Sequence, residues 1–504
     1  MKKFILVLIF LFSGCAIAIE EISPNKHDCA CEHHHHHTEP VTVRNGSVLN
    51  IRECIAVGMQ NSPVIKEYAH RLEIAKSNVG IAKSEYFPEF GVSAGYRQEF
   101  NSNRYDFLRN YREFPTVGVS LNKMIWDFGK TTANIKMEEF LKIAAEYEFE
   151  DAVCETVFEI KAYYYKLLYA KAAYETQKIS YNLQKSIVNE IEKLVKSGQR
   201  DKADLLNAQL AQFYIKSELL NAENEYLNAK EELNNAMFLK NAPDYSIYET
   251  QSFSYKPTKQ TAFKNVSYPA AGKVAKDDTI FQHPNFAPDK AVEIAYKNSP
   301  DIKALIAVKQ SFEQALIFVK RNYYPSINAG VGYDFVNSNI YNNNGLSVAV
   351  TVDSAINGMR QKYDIKGAKA QLALADTEID TFKDNLYFSV RKNLNTAEIA
   401  YKNIPVCKNQ MDKAAEYFDM TYKNYLLNKM VQLDLEDARM LYIKSVNDYI
   451  SSQFEYNLAL IQLEQSMHEH LIDYHDDAEH AADFHEGNEN ETLSKLIRCN
   501  KKHK

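Results

Sequence analysis

Most of the 14 histidines crowd toward the two ends of the 504-residue chain, where they stand beside cysteines and acids. Cys29-Ala30-Cys31-Glu32 runs directly into His33, His34, His35, His36 and His37. Near the other end His468, His470, His475, His480 and His485 are interleaved with Asp473, Asp476, Asp477, Glu479, Asp483 and Glu486. Thiolate and imidazole are good ligands for Zn²⁺, Cu⁺ and related ions. The spacing is not that of a folded finger, so the tails read as flexible chelators of low specificity that could hold Zn or Cu. The plain alternatives are a polar tail and, for His33 to His37, a tag, although five histidines fall short of the usual six. No paired-carboxylate, nucleophile–base or phosphate-loop constellation stands elsewhere. No enzyme is expected, and no cofactor is required.

A further chemical position is Cys15. Met1-Lys2-Lys3 is a short basic region and Phe4 to Phe12 a short apolar run, the pattern of an export signal over residues 1–18. Phe12-Ser13-Gly14-Cys15 resembles a lipobox, with Phe where Leu is usual, and would leave Cys15 lipidated. Ala16-Ile17-Ala18 is an overlapping A-x-A cleavage pattern, and either processing exports the chain. No later stretch approaches the ~18 apolar residues of a membrane helix. Periplasm, cell surface, secretion and an outer-membrane β-barrel remain. A net charge of −7 gives no basic footprint for nucleic acid. Cys54, Cys154, Cys407 and Cys499 have no framework spacing, which argues against a disulfide scaffold.

The elements that position these residues are duplicated. Asn61-Ser62-Pro63 returns as Asn298-Ser299-Pro300, Phe87-Pro88 as Tyr324-Pro325, and Gly95-Tyr96 as Gly332-Tyr333. Asp204-Leu205 returns as Asp434-Leu435 at a shorter offset, because the loop after the first strand pattern is shorter in the second copy. The expected order is a tail over 19–46, one repeat over 47–240, a linker over 241–285, a second repeat over 286–470, and a His/acidic tail over 471–504. Such a repeat is far longer than a solenoid unit, so one large module has been doubled.

Each copy predicts a short helix ending at Asn-Ser-Pro, then a helix to about Tyr86 or Asn322 that the X-Pro pair stops. The period next switches to two. Phe90, Val92, Ala94 and Tyr96 alternate with small or polar residues, as do Val117, Val119 and Leu121. In the second copy Ile327, Ala329, Val331, Tyr333 and Phe335 do so, followed by Leu346, Val348, Val350 and Val352. Four strands of about eight to eleven residues with one apolar face form the transmembrane-barrel pattern. A helical period then returns without Pro or Gly from Lys130 to Ser197, room for a helix of about 100 Å. Its stripe includes Val153, Val157, Ile160, Tyr164, Leu167 and Leu168; the second copy carries Ile365, Ala368, Leu372, Ala375, Ile379, Leu386, Val390 and Leu394. Pro405 should kink the second long helix. Gly198 suits the helix C-cap, Asp201 the next N-cap, and Asn428 the cap of the second tip.

Four strands cannot close a barrel, and open edges are not tolerated in lipid, so other copies of the chain must complete them. The series of Asn-Ser-Pro turn, Phe-Pro strand entry, Trp126-Asp127-Phe128-Gly129, Ala162-Tyr163-Tyr164-Tyr165-Lys166-Leu167-Leu168 and Gly198…Asp204-Leu205-Leu206-Asn207-Ala208 resembles the TolC-like outer-membrane efflux proteins. The expected fold is mainly α with a membrane β-barrel portion, built from long α-helical hairpins. The resemblance implies a homotrimer in the outer membrane, with twelve shared strands and a periplasmic tunnel of twelve helices. It implies a periplasmic adaptor (membrane fusion) protein at the hairpin tips and an inner-membrane pump or ABC exporter as energy source. Family members carry drugs, metal ions or unfolded proteins. Asn428 and Pro405 depart from the pattern.

At the tips, Asp201, Asp204, Asp434 and Asp437 would form carboxylate rings under three-fold symmetry, beside Gly198 and Asn428 as adaptor contact and gate. Asp is also the ordinary residue at a helix start. The competing function is a soluble periplasmic metal-binding coiled-coil protein without channel activity.

Overall fold

The computed structural model describes residues 43–100, 111–248, 287–337, 342–354, 358–427 and 429–469. Its elements come in two matching sets. In the first, α1 (Ile51–Asn61) and α2 (Pro63–Ser84) lead into β2 (Glu89–Phe100) and β3 (Tyr111–Trp126), then α3 (Lys130–Lys196) and α4 (Lys202–Ala236). In the second, α5 (Pro288–Asn298) and α6 (Pro300–Arg321) lead into β5 (Ser326–Asn337) and β6 (Asn342–Asp353), then α7 (Gly358–Leu426) and α8 (Gln432–Met467). Two short strands, β1 (Val48–Leu49) and β4 (Ser246–Ile247), pair in parallel beside the first set.

The Asn-Ser-Pro turn works the same way twice. Ser62 Oγ accepts from the Ile65 N–H at 3.2 Å and Ser299 Oγ from the Ile302 N–H at 3.3 Å. Proline follows at the first helical position, where a missing N–H leaves nothing unpaired. The helix before each turn packs closely on the long hairpin that follows. At Gly58 a Cβ would lie 2.3 Å from Ile160 Cδ1, whereas the equivalent Ala295 is accommodated and fully buried.

α3 has 67 residues and α7 has 69, each about 100 Å at 1.5 Å per residue. Their return helices have 35 and 36 residues. One core lies between the two hairpins, where Leu183, Ile187 and Ile191 meet Met411, Phe418, Tyr442 and Val446. A second joins Cys54, Val57, Ile160, Tyr164 and Leu167 to Leu233 and Met237; a third joins Val292 and Ala295 to Val390, Leu394 and Leu463. Val153 and Val157 are only half-buried, as are Ile365, Leu372 and Leu386, so the inner stripe is narrower than the sequence pattern. α7 remains helical through Pro405.

The four long strands form one antiparallel sheet in the order β2-β3-β5-β6. They have 12, 16, 12 and 12 residues, longer than expected, because pairing continues past the alternating stretches toward the outer turns. Register aligns the apolar residues on one face: Val92 opposes Val119, Val119 opposes Tyr333, Val331 opposes Val348, and Ala329 opposes Val350. A register shift between Met124 and Trp126 inserts Ile125 and brings Trp126 opposite Ile327. The other face carries small residues that leave room for polar ones; a Cβ at Gly118 would lie 2.2 Å from Asp334 Oδ1. Among the described residues β2 and β6 are the outer strands, each with one neighbour.

The change from strand to helix is made at Trp126-Asp127-Phe128-Gly129. Phe128 and Gly129 both adopt the left-handed region, at φ 56 and φ 80. Asp127 accepts from the Gly129 N–H at 2.9 Å and from the Thr131 N–H. Burial alone would raise the Asp127 pKa, but these N–H groups and the Thr131 hydroxyl outweigh it and hold the carboxyl below the usual range. Arg321, from the end of α6, donates to the Gly129 carbonyl at 2.8 Å, so the second set braces the first at this turn.

Candidate functional site

The hairpin tips are the ends of four helices. At the first, Gly198 takes φ 76. Its N–H bonds the Val195 carbonyl at 3.0 Å, and the Gln199 N–H bonds Leu194 at 2.9 Å, the paired bonds of a Schellman cap. At the second, the Lys429 N–H bonds the Asn424 carbonyl at 2.9 Å, the equivalent six-residue closure. Asn428 itself lies outside the described residues.

The tip aspartates do not all act as caps. Asp201 occupies the N-cap of α4, but its side chain makes no capping hydrogen bond, and Val431 stands at the N-cap of α8. Extended backbone at both positions starts the helices without a side-chain acceptor. Asp204 and Asp434 fall in the first turns of α4 and α8, where a carboxylate faces the positive end of the helix dipole. Both are half-buried, while Asp201 and Asp437 are exposed.

The two tips are tied together by residues that sequence patterns did not single out. Arg200 donates to the Tyr425 carbonyl at 3.0 Å, lies over the Tyr425 ring, and reaches Asp204 at 3.7 Å. Deeper in, the Tyr422 hydroxyl donates to Glu190 at 2.5 Å. Gln184 Nε2 donates to the Ala208 carbonyl at 3.1 Å and to Glu436 at 2.8 Å, and Arg439 donates to Glu436 at 3.0 Å. Polar bonds from Gln184, Arg200 and Tyr422 thus cross between hairpins alongside residues of the inter-hairpin core. The signal for Arg200 lay in the comparison of copies, because Met430 stands at the matching place in the second tip.

Far from the tips, Lys161 and Glu464 form an ion pair at 2.9 Å with side chains only 2% and 0% exposed. It joins α3 to α8, hence one copy to the other. Of the residues read as metal ligands, Cys29, Cys31, His33, His34, His35, His36, His37, His470, His475, His480 and His485 lie outside the described residues, as does Cys15. His468 is described and stands beside Asp151 and Asp301, which no local sequence pattern marks as ligands. Asp301 replaces the apolar Val64 of the first copy, a difference that could have drawn attention to it.

A family model described as outer membrane efflux protein matches residues 58–237. Over 163 residues the chain is 29% identical to the outer membrane protein TolC of Vibrio cholerae, covering 31% of this chain and 36% of that protein. Over 173 residues it is 22% identical to the alkaline protease secretion protein AprF of Pseudomonas aeruginosa, covering 34% and 36% respectively. The matched stretch thus spans little more than a third of either relative. The fold likeness is broader: the outer membrane protein VceC of Vibrio cholerae superposes with a TM-score of 0.65 at 15% identity, over 84% of this chain and 97% of that one.

Proposed function

We propose that this chain, a TolC-like protein of the outer membrane efflux family, is the passive exit duct of a tripartite efflux or type I secretion assembly. Its place is the outer membrane, with the long helices in the periplasm. The observation that carries the reading is the four-stranded sheet, apolar on one face, with two open edges and hairpins about 100 Å long continuing from it. Open edges cannot stand in lipid, so further copies must pair β6 with the next β2. Three chains would close twelve strands and surround one pore with twelve helices.

The helices supply a matching argument for self-association. On α4, Leu206, Phe213, Leu220 and Leu227 recur at intervals of seven and are exposed within one chain. On α7, Ile399 and Val406 are seven apart and Met420 a further fourteen, with Lys413 between them, and the three apolar residues are likewise exposed. A stripe with that interval is the seam of a left-handed coiled coil, and a second copy is the partner that would cover it. The tips would then face the periplasm, meet the adaptor protein, and admit cargo delivered by an inner-membrane pump or ABC exporter. The tip aspartates would line that entrance and favour cations. A soluble chelator would have no use for a sheet with an exposed apolar face.

The test is assembly and conduction. Purified protein is expected to run as a trimer by light scattering and native mass spectrometry, and to form single-channel steps in planar bilayers. A monodisperse soluble monomer with no conductance would refute the duct. The histidine-rich tails favour metal ions as cargo. Deleting residues 25–38 and the region after 472 should lower zinc or copper tolerance without affecting trimer yield; unchanged tolerance to both metals would remove that reading and leave the duct.

A further inference from the structure

Three side chains with metal-binding atoms converge from three helices, two of one copy's set and one of the other's. Asp151 stands on α3, about 30 Å along it from the strand end at 1.5 Å per residue. Asp301 lies in the first turn of α6, and His468 ends α8 in the left-handed region at φ 47. One donor atom from each lies within 4.8 Å of the others, and His468 Nε2 is 4.0 Å from Asp151 Oδ1. All three residues are half-buried.

Among the described residues neither aspartate has a Lys or Arg ion-pair partner within 4.0 Å. Lys303, the basic group nearest in sequence to Asp301, instead holds its ammonium over the Tyr147 ring at 5.7 Å.

One imidazole and two carboxylates are a donor set suited to a zinc-type ion. Bonds of ~2.0–2.2 Å place tetrahedral donors about 3.4 Å apart, which side-chain rotation of roughly an ångström would achieve from here. A separate observation comes from the sequence. The segment that begins at His468 continues with His470, His475, His480 and His485, so the chain tethers a store of imidazoles at this point.

We propose that Asp151, Asp301 and His468 bind one divalent cation of the zinc type per chain, joining the second copy's helix ends to the long helix of the first. The site is independent of whether the chain conducts. Its test is zinc chloride added to the full-length, EDTA-stripped protein, read by apparent melting temperature and calorimetry. Zinc held only by the histidine-rich ends of the sequence would not join these helices, so a rise of several degrees reports this site. The rise is expected in the parent and absent in Asp301→Asn and His468→Gln, with one ion per chain lost from the calorimetric count. A rise retained in both variants, or none in the parent, would overturn the proposal. Should the variants fail to fold, an anomalous map at the zinc edge on parent crystals decides. A peak between Asp151 and His468 supports the site, and a peak-free map overturns it.

Discussion

The guanidinium of Arg200 sits 4.4 Å from the centroid of the Tyr425 ring and donates at 3.0 Å to the Tyr425 carbonyl. That carbonyl is one of the last in α7, where the helix ends before an N–H four residues on can close the usual bond. A cation from the first tip therefore satisfies the C-terminal end of the second long helix, where the helix dipole also favours positive charge.

Arg200→Ala should loosen this clamp by about 2 kcal/mol, the scale of a charge-assisted hydrogen bond with some cation–π attraction. Because the contact is local, hydrogen exchange should accelerate over 196–204 and 422–427 while the long helices keep their protection. Arg200→Lys should rescue poorly, since an ammonium cannot stack on the ring and reach the carbonyl in the same plane. Unchanged exchange at both tips in the Ala variant would show that the clamp contributes nothing.

The buried Lys161–Glu464 pair should behave in the opposite manner to a surface ion pair. Removing one partner strands the other charge in the interior, a cost of about 3–5 kcal/mol. Lys161→Met and Glu464→Gln singly should each lower the apparent melting temperature sharply. Lys161→Met with Glu464→Leu should recover most of the loss, because neither charge is then left buried. A double variant no better than the worse single one would rule out charge compensation as the cause.

What could be read from the sequence was whatever acts over short stretches. Ser62 and Ser299 are caps because their hydroxyls reach an N–H three residues on, and Gly198 ends α3 because its own backbone permits the left-handed turn. The strand faces were legible because alternation fixes register once hairpins form. Asp201 takes the N-cap position its residue type suits but makes no side-chain bond there: composition identifies the position, whereas the bond depends on a rotamer. The pairs that join the copies were not legible at all. Lys161 and Glu464 are 303 residues apart, Arg200 and Tyr425 are 225 apart, and no local period marks either. Only a difference between matched positions, such as Asp301 against Val64, hinted at such contacts.

Neighbouring residues on β6 should respond differently to charge. Val348 lies on the apolar face, paired with Val331, and Ser347 lies on the other, paired with Gly332. If the apolar face meets lipid, Val348→Arg should cost about 2–4 kcal/mol near the bilayer midplane and cut the yield of assembled protein. Ser347→Arg should assemble and shift single-channel conductance and ion selectivity instead. Equal assembly of both variants with identical conductance would contradict the assignment of faces.

The strand-to-helix turn should give the chain an acid-sensitive point at Asp127. Its carboxylate accepts from the Gly129 and Thr131 N–H groups, which hold its pKa below the unfolded value despite burial. A depressed carboxylate pKa contributes stability that is fully present above the unfolded value near 3.9 and is lost as pH falls through the folded one. Asp127→Asn keeps one acceptor but cannot ionise. It should therefore be less stable than the parent at pH 7, with the gap narrowing only below about pH 4. Thermal unfolding measured from pH 7 to pH 3 checks this; a constant gap across that range would mean that the Asp127 charge does not hold the turn.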